Sequence, residues 1–413
     1  MSMEELLQLG QAAVAVGGEN GGLDVLSMAC DGAGAGAGEG WSDLLAAHMR
    51  TLARMPPSAH EGAESSDLIE DGDGEAWAAA YNEYTGAYNA FLGIFKTSEG
   101  KWLLPVMRRV VVNLRLIARR ADTARLRDRS LQTQQQQNQN QQETVLEVAE
   151  REIKRCFPLT VSDRAQLAQS KKWGTITLMN NLYKIYFQLN NLRLCRNLLP
   201  YVTQAGFPAI ERFPIGQQVP YRYFQGRLAI YSANYPQARD DLRFTFAHCP
   251  AWSARNKRLI LTYLIPCELL VGRAPSARLL AKYGLVDQFG ALVRAIRTGS
   301  LRLFDEGLAR QQEFFVQKGI YLILERLRYI TYRNLFRKVF LVTASPKLKV
   351  ALFQAAIAWQ GVPMEPDEVE CILANLIAQG FIKGYLSHQA ATLVVHKDPR
   401  VAFPALSTIK SLS

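Results

Sequence analysis

Through most of this chain apolar side chains return at the spacing of one helix face, and that period predicts helices rather than strands. Trp77, Tyr81, Tyr84, Tyr88, Phe91, Leu92 and Phe95 form the first clear stripe. Leu104, Met107, Val111, Leu114 and Ile117 form a second, within a helix expected over Lys101–Arg129. After Glu143 the pattern predicts helices over Glu143–Phe157, Lys171–Leu189, Arg193–Thr203, Tyr221–Ala233, Tyr235–Cys249, Ala254–Val271, Ser276–Tyr283, Phe289–Arg297, Leu301–Val316, Ile320–Leu327 and Thr331–Val342. Pro158, Pro220, Pro250 and Pro275, with Gly206, Gly272, Gly284 and Gly319, are expected to punctuate them.

Gly226 and Ala238 lie on two successive helices joined at Ala233–Asn234. Small residues there let two antiparallel helices approach closely, leaving Tyr235, Ala238, Leu242 and Phe246 as the buried stripe. This is the arrangement of a tetratricopeptide-like repeat, which cannot bury its own face and needs stacked neighbours.

Beyond Lys347 the pattern changes. Lys347–Gln360 reads as a short helix, Pro363 and Pro366 break it, and Asp367 is the expected cap of a helix ending at Ala378. Ile382–Ser387 and Thr392–His396 are short strand-like runs around a polar turn. Helices followed by a hairpin are the order of a winged helix. The expected fold is therefore all-α, a tetratricopeptide-like helical solenoid followed by a C-terminal winged-helix module with a small β-hairpin. Its parts would be a loosely ordered region 1–74 with short helices at Met3–Val16 and Trp41–Leu52, a solenoid over 75–330, a winged helix over 331–400 and a tail over 401–413. A disordered Gln/Asn-rich insert is expected at 130–143.

Composition adds a basic balance to this picture. The 413 residues carry a formal net charge of +11, which points to polyanions or acidic proteins as partners. The six cysteines are widely spread with no C-x-x-C pair, as expected of reduced thiols in the cytosol or nucleus. Leu259–Gly272, the most apolar stretch, is interrupted by Pro266 and Glu268 and is too short to span a bilayer, so no membrane is expected among the partners. The histidines His48, His60, His248, His388 and His396 show no metal-protease spacing, and phosphate-loop and nucleophile-elbow patterns are missing. No catalytic, cofactor or metal site is expected.

Four stretches carry a likeness to a known family: Ser170–Leu194 (SKKWGTITLMNNLYKIYFQLNNLRL), Asn256–Pro266 (NKRLILTYLIP), Ile330–Val339 (ITYRNLFRKV) and Asp367–His388 (DEVECILANLIAQGFIKGYLSH). Together they resemble PCI-domain-containing proteins of the Thp-type subfamily, from about Glu75 to the C-terminus. The resemblance implies a non-enzymatic scaffold subunit of a nuclear complex that couples transcription to mRNA export at the nuclear pore. It also implies a large GANP/SAC-type scaffold as partner, a small acidic DSS/Sem-type peptide, and a platform for RNA or single-stranded nucleic acid built from paired winged helices. The alternative is a structural PCI subunit of a proteasome-lid, signalosome or translation-initiation type assembly without nucleic acid.

The window Arg326–Lys349 contains seven basic residues and no acidic one. Arg333 and Arg337 fall outside the apolar stripe of Tyr332, Leu335, Phe336, Val339 and Phe340, and are expected to project as a pair toward backbone phosphates. Lys338, Lys347, Lys349, Lys383 and Lys397 would widen that patch across the winged helix. The helix after Asp367 opens with Asp367, Glu368 and Glu370, which argues against its reading a major groove. Arg108–Arg129 is a second basic candidate, for RNA or an acidic tail.

Overall fold

The computed structural model describes residues 38–54, 74–131 and 143–409. The expected helix at Met3–Val16 and nearly all of the Gln/Asn-rich insert lie outside them. The chain forms two compact units, one ending at Gln218 and one beginning at Val219.

In the first unit, α1 (Gly38–Arg54), α2 (Gly74–Thr97), α3 (Leu104–Leu131), α4 (Val145–Val161) and α5 (Thr175–Gln188) pack each against the next. Short helices α6 (Leu192–Asn197) and α7 (Leu199–Thr203) follow. All seven residues of the first aromatic stripe are buried on α2. The buried Tyr88 hydroxyl donates to the Glu152 carbonyl at 2.8 Å, which satisfies its polar end. α4 starts at a capping box made by Thr144 and Glu147 and runs through Pro158. The expected stop at that proline does not occur, because losing one backbone donor is outweighed by burial of Cys156, Phe157 and Thr160 on either side.

Helix α8 (Ile215–Tyr231) carries the chain into the second unit, with Pro220 inside it rather than ahead of it. The helices α9 (Tyr235–His248), α10 (Ala254–Leu270), α11 (Ala277–Lys282), α12 (Val286–Thr298), α13 (Leu301–Arg310), α14 (Gln312–Lys318) and α15 (Tyr321–Thr343) follow. The α8–α9 pair has the geometry expected of a close crossing. A Cβ built on Gly226 would stand 2.7 Å from Leu242 Cγ and 3.2 Å from the Ala238 carbonyl oxygen. Ala238 and Leu242 are fully buried, and Tyr235 and Phe246 pack at the rim of the same core.

Two expected helices, Ile320–Leu327 and Thr331–Val342, are one. Arg328, Tyr329 and Ile330 contain no breaker, so α15 continues through them. It packs against α10, α12, α13, α14 and the winged helix, and Ile330, Thr331, Tyr332 and Arg333 are all buried in succession. Over that turn the helix is covered on every side, which makes its middle a central element.

The winged helix contains β1 (Lys347–Lys349), α16 (Val350–Ala358), α17 (Pro366–Ala378), β2 (Gly384–Ser387), β3 (Thr392–Val395) and the short α18 (Pro399–Ala402). Lys347–Lys349 opens this module as a strand and not as the first turn of a helix. It pairs antiparallel with β3, giving a three-stranded sheet ordered β1-β3-β2. Its alternation of lysine, leucine, lysine is a period-2 pattern too short to read from sequence. The cap of α17 is Glu365, in a capping box with Glu368 and with Pro366 in the first turn, rather than Asp367. A single apolar core joins α8–α15 to the winged helix, reaching from Ala229 to Ile409 and including Leu348, Phe353, Val369, Leu373 and Leu393. Phe336 of α15 meets Phe353 of α16 edge to face at 4.8 Å.

Candidate functional site

The expected basic patch is rearranged by the fold. Arg333 does not project. It is 7% exposed, and its guanidinium donates to the carbonyls of Phe403 at 3.1 Å and Pro404 at 2.6 Å. A third bond runs to Asn334 Oδ1 at 2.8 Å. The physical reason is that the segment after β3 folds back over α15, so the face left open by the helix's own apolar stripe is closed by residues seventy positions later. Burial, with the like charge of Arg337 beside it, lowers the Arg333 pKa to about 10. Its charge at neutral pH is retained.

Arg337 is exposed, one turn further along. Lys338 is exposed too, but its ammonium donates to the Thr298 carbonyl at 2.6 Å and so closes the end of α12. Arg326 lies over the Tyr235 ring at 5.3 Å, and Arg328 pairs with Asp305 at 2.6 Å. These last two are not part of one continuous cationic surface.

Lys347, Lys349, Lys383 and Lys397 are exposed on the winged helix. Cross-strand register places Lys347 opposite Val394 and Tyr385, and Lys349 opposite Thr392 and Ser387. Directly paired residues share a face of a sheet. One side therefore shows Lys347, Lys349 and Tyr385 to solvent, Tyr385 being 63% exposed, while Leu348, Leu386 and Leu393 turn inward. None of the six residues on the outer face is acidic. The Lys349 ammonium donates to the Ala390 carbonyl at 3.0 Å, leaving two further hydrogens.

Arg333 and Arg337 are brought together with three residues that sequence reading did not single out. Arg273 after α10, Arg297 at the end of α12 and Arg400 of α18 join them around one cleft of about 680 Å3. Among the described residues no Asp or Glu lines it. These arginines come from four separate parts of the chain, so no local spacing signals them. In α3, by contrast, Arg115 is internal, bonding Asn181 Oδ1 at 2.9 Å, and Arg120 lies 5.0 Å from the Trp77 ring centre. Arg108, Arg119 and Arg125 remain exposed.

Of the cysteines, Cys156, Cys195, Cys249 and Cys267 are buried and Cys371 is exposed. Burial pushes the Cys156 and Cys267 thiols up to about 12, which keeps them protonated and unreactive. Among the described residues no three of His, Cys, Asp and Glu gather to hold a metal ion, and no helix is long and apolar enough to cross a membrane. His388 and His396 are separate. His388 Nδ1 meets Glu370 at 2.6 Å, and that hydrogen bond raises its pKa.

Comparison with known proteins agrees with the architecture. Residues 277–397 match the PCI domain, which spans α11 to the end of the sheet. The chain is 36% identical to PCI domain-containing protein 2 of Xenopus laevis, over 89% of this chain and 86% of the frog protein. It is 38% identical to the Dictyostelium discoideum PCI domain-containing protein 2 homolog, over 79% and 74%. A Neurospora crassa relative, Protein CSN12 homolog, is 34% identical over 89% and 84%. With helices packed in sequence, a three-stranded winged helix at the end and likeness along most of its length, the chain belongs to the PCI domain-containing protein family, whose members are scaffold-type subunits of larger assemblies.

Proposed function

We propose that this chain is a non-enzymatic subunit of a nuclear complex that couples transcription to mRNA export at the nuclear pore, and that its winged helix adds an RNA-binding face. The observation that carries this reading is the outer face of the sheet. It pairs two lysines with an exposed tyrosine and carries no acid, which suits a single strand whose phosphates meet cations and whose bases stack on a ring. Lys383 and Lys397 extend the charge on the same module. The acidic start of α17 fits backbone or single-strand binding better than major-groove reading. Trp359 and Val342, 88% and 87% exposed, offer apolar anchors for a larger GANP/SAC-type scaffold. The exposed arginines of α3 suit the acidic DSS/Sem-type peptide.

The test is retention of the full chain on single-stranded RNA across a salt series. K347E combined with K349E is expected to weaken binding and to flatten the salt slope by about 0.7 for each phosphate that is no longer neutralised. Unchanged affinity and slope would count against the RNA face. A second reading is a structural subunit of a signalosome, proteasome-lid or translation-initiation type assembly that uses the same surfaces for proteins only. The relatives named Protein CSN12 homolog favour its signalosome form. Identification of the large subunit that co-purifies with the tagged chain separates the two.

A further inference from the structure

The arginine cleft of the second unit is not accounted for by a scaffold role. Arg273, Arg297, Arg333, Arg337 and Arg400 line one cleft of about 680 Å3, and among the described residues no carboxylate lies in its wall. Among the described residues, none of the four exposed ones forms a side-chain ion pair. Structural arginines usually sit beside an acid or cap a helix end, and here the capping work is already done. The Asn334 side chain donates to the Ile296 carbonyl at 2.8 Å, and Lys338 takes the Thr298 carbonyl. Arg297, in the last turn of α12, is thereby released from its own helix terminus.

The fifth guanidinium supplies an independent observation. Arg333 is held by the Phe403 and Pro404 carbonyls at the cleft wall, so its guanidinium is fixed there without an acid beside it. The four exposed arginines bring like charge to one wall, and a multiply charged anion would neutralise it.

We propose that this cleft binds a compact anion carrying several phosphate groups. Guanidinium forks match phosphate oxygens two at a time, and four exposed arginines from separate parts of the chain lining one cleft, with Arg333 adding charge at its wall, suit a small, multiply charged molecule. A nucleic-acid strand would instead require cations set in a line along its backbone. The cavity volume lies within the range of small-ligand sites. Because the wall includes the ends of α10 and α12, the middle of α15 and the C-terminal segment, the bound anion would tie the helical repeats to the winged helix and raise the stability of this unit.

The experiment is calorimetric titration of the full chain with inositol hexakisphosphate and with inorganic tripolyphosphate, alongside thermal unfolding in each. One-to-one saturable binding and a raised unfolding temperature are expected. R337Q and R400Q, both at exposed positions, should keep the unliganded unfolding temperature and each weaken binding about ten-fold. K347Q with K349Q should leave it unchanged. Absence of saturable binding to either probe, or equal weakening in the lysine variant, would overturn the proposal. Saturation by a polyglutamate peptide or an RNA oligonucleotide, with no response to either phosphate probe, would overturn it in favour of a macromolecular occupant.

Discussion

Arg333 shows how one side chain changes meaning between sequence and structure. On the helical wheel of α15 it lies outside the apolar stripe and reads as a surface cation. In the fold it holds two backbone carbonyls of the returning C-terminal segment. Replacing it with methionine keeps the bulk but leaves both carbonyls without a donor. R333M is expected to cost about 1–3 kcal/mol, since an unsatisfied buried polar group carries its full desolvation penalty, partly offset by no longer burying a charge. Urea unfolding checks this, and an unchanged midpoint would mean the guanidinium contributes nothing net. Charge reversal at Arg333 thus reports on folding before it reports on binding, whereas Arg337 is free of that ambiguity. Lys347 and Lys349 were legible as basic residues. Their common face was not, because it depends on pairing with a strand more than forty residues away.

At the scale of elements, helices were read well where period and breakers agreed, and poorly where they conflicted. α2 was legible in full because seven aromatic and aliphatic residues recur on one face. Pro158 and Pro220 misled because a proline in a helix costs one hydrogen bond and some strain, which tertiary burial outweighs. The α8–α9 crossing was legible from Gly226 and Ala238 alone, since only small residues permit that approach. G226V is therefore expected to destabilise the protein by about 1–3 kcal/mol through overpacking against Leu242. The double mutant with L242A should be destabilised by less than the sum of the two single changes in a double-mutant cycle. Strict additivity of the two changes, measured by thermal unfolding, would show that the clash with Leu242 is not the cause.

At the scale of the molecule, the segment after β3 is part of the second unit's core. Ala402, Phe403 and Ile409 are buried there, and Phe340 of α15 meets Phe403 at 5.7 Å between ring centres. A chain ending at Asp398 loses these side chains and exposes the face of α15 they cover. It is expected to be less stable by about 3–5 kcal/mol, the scale of deleting one large and one medium buried apolar side chain. Denaturant unfolding measures this, and full retention of the wild-type midpoint would contradict the reading. The same segment contributes Arg400 and the wall of the arginine cleft, so stability and anion binding meet in one stretch of chain.

The amino-acid sequence by itself determined the helical class, the close helical crossing and the winged-helix order at the end. Each of these is encoded locally, in a period of apolar residues or in one small residue where two backbones meet. The grouping of cations was decided only by the tertiary structure. Arg273, Arg297, Arg333, Arg337 and Arg400 span more than a hundred positions, and nothing about any one of them announces the other four. Charge is a property of a residue, but a binding site is a property of distances between residues, and those distances exist only once the chain has closed on itself.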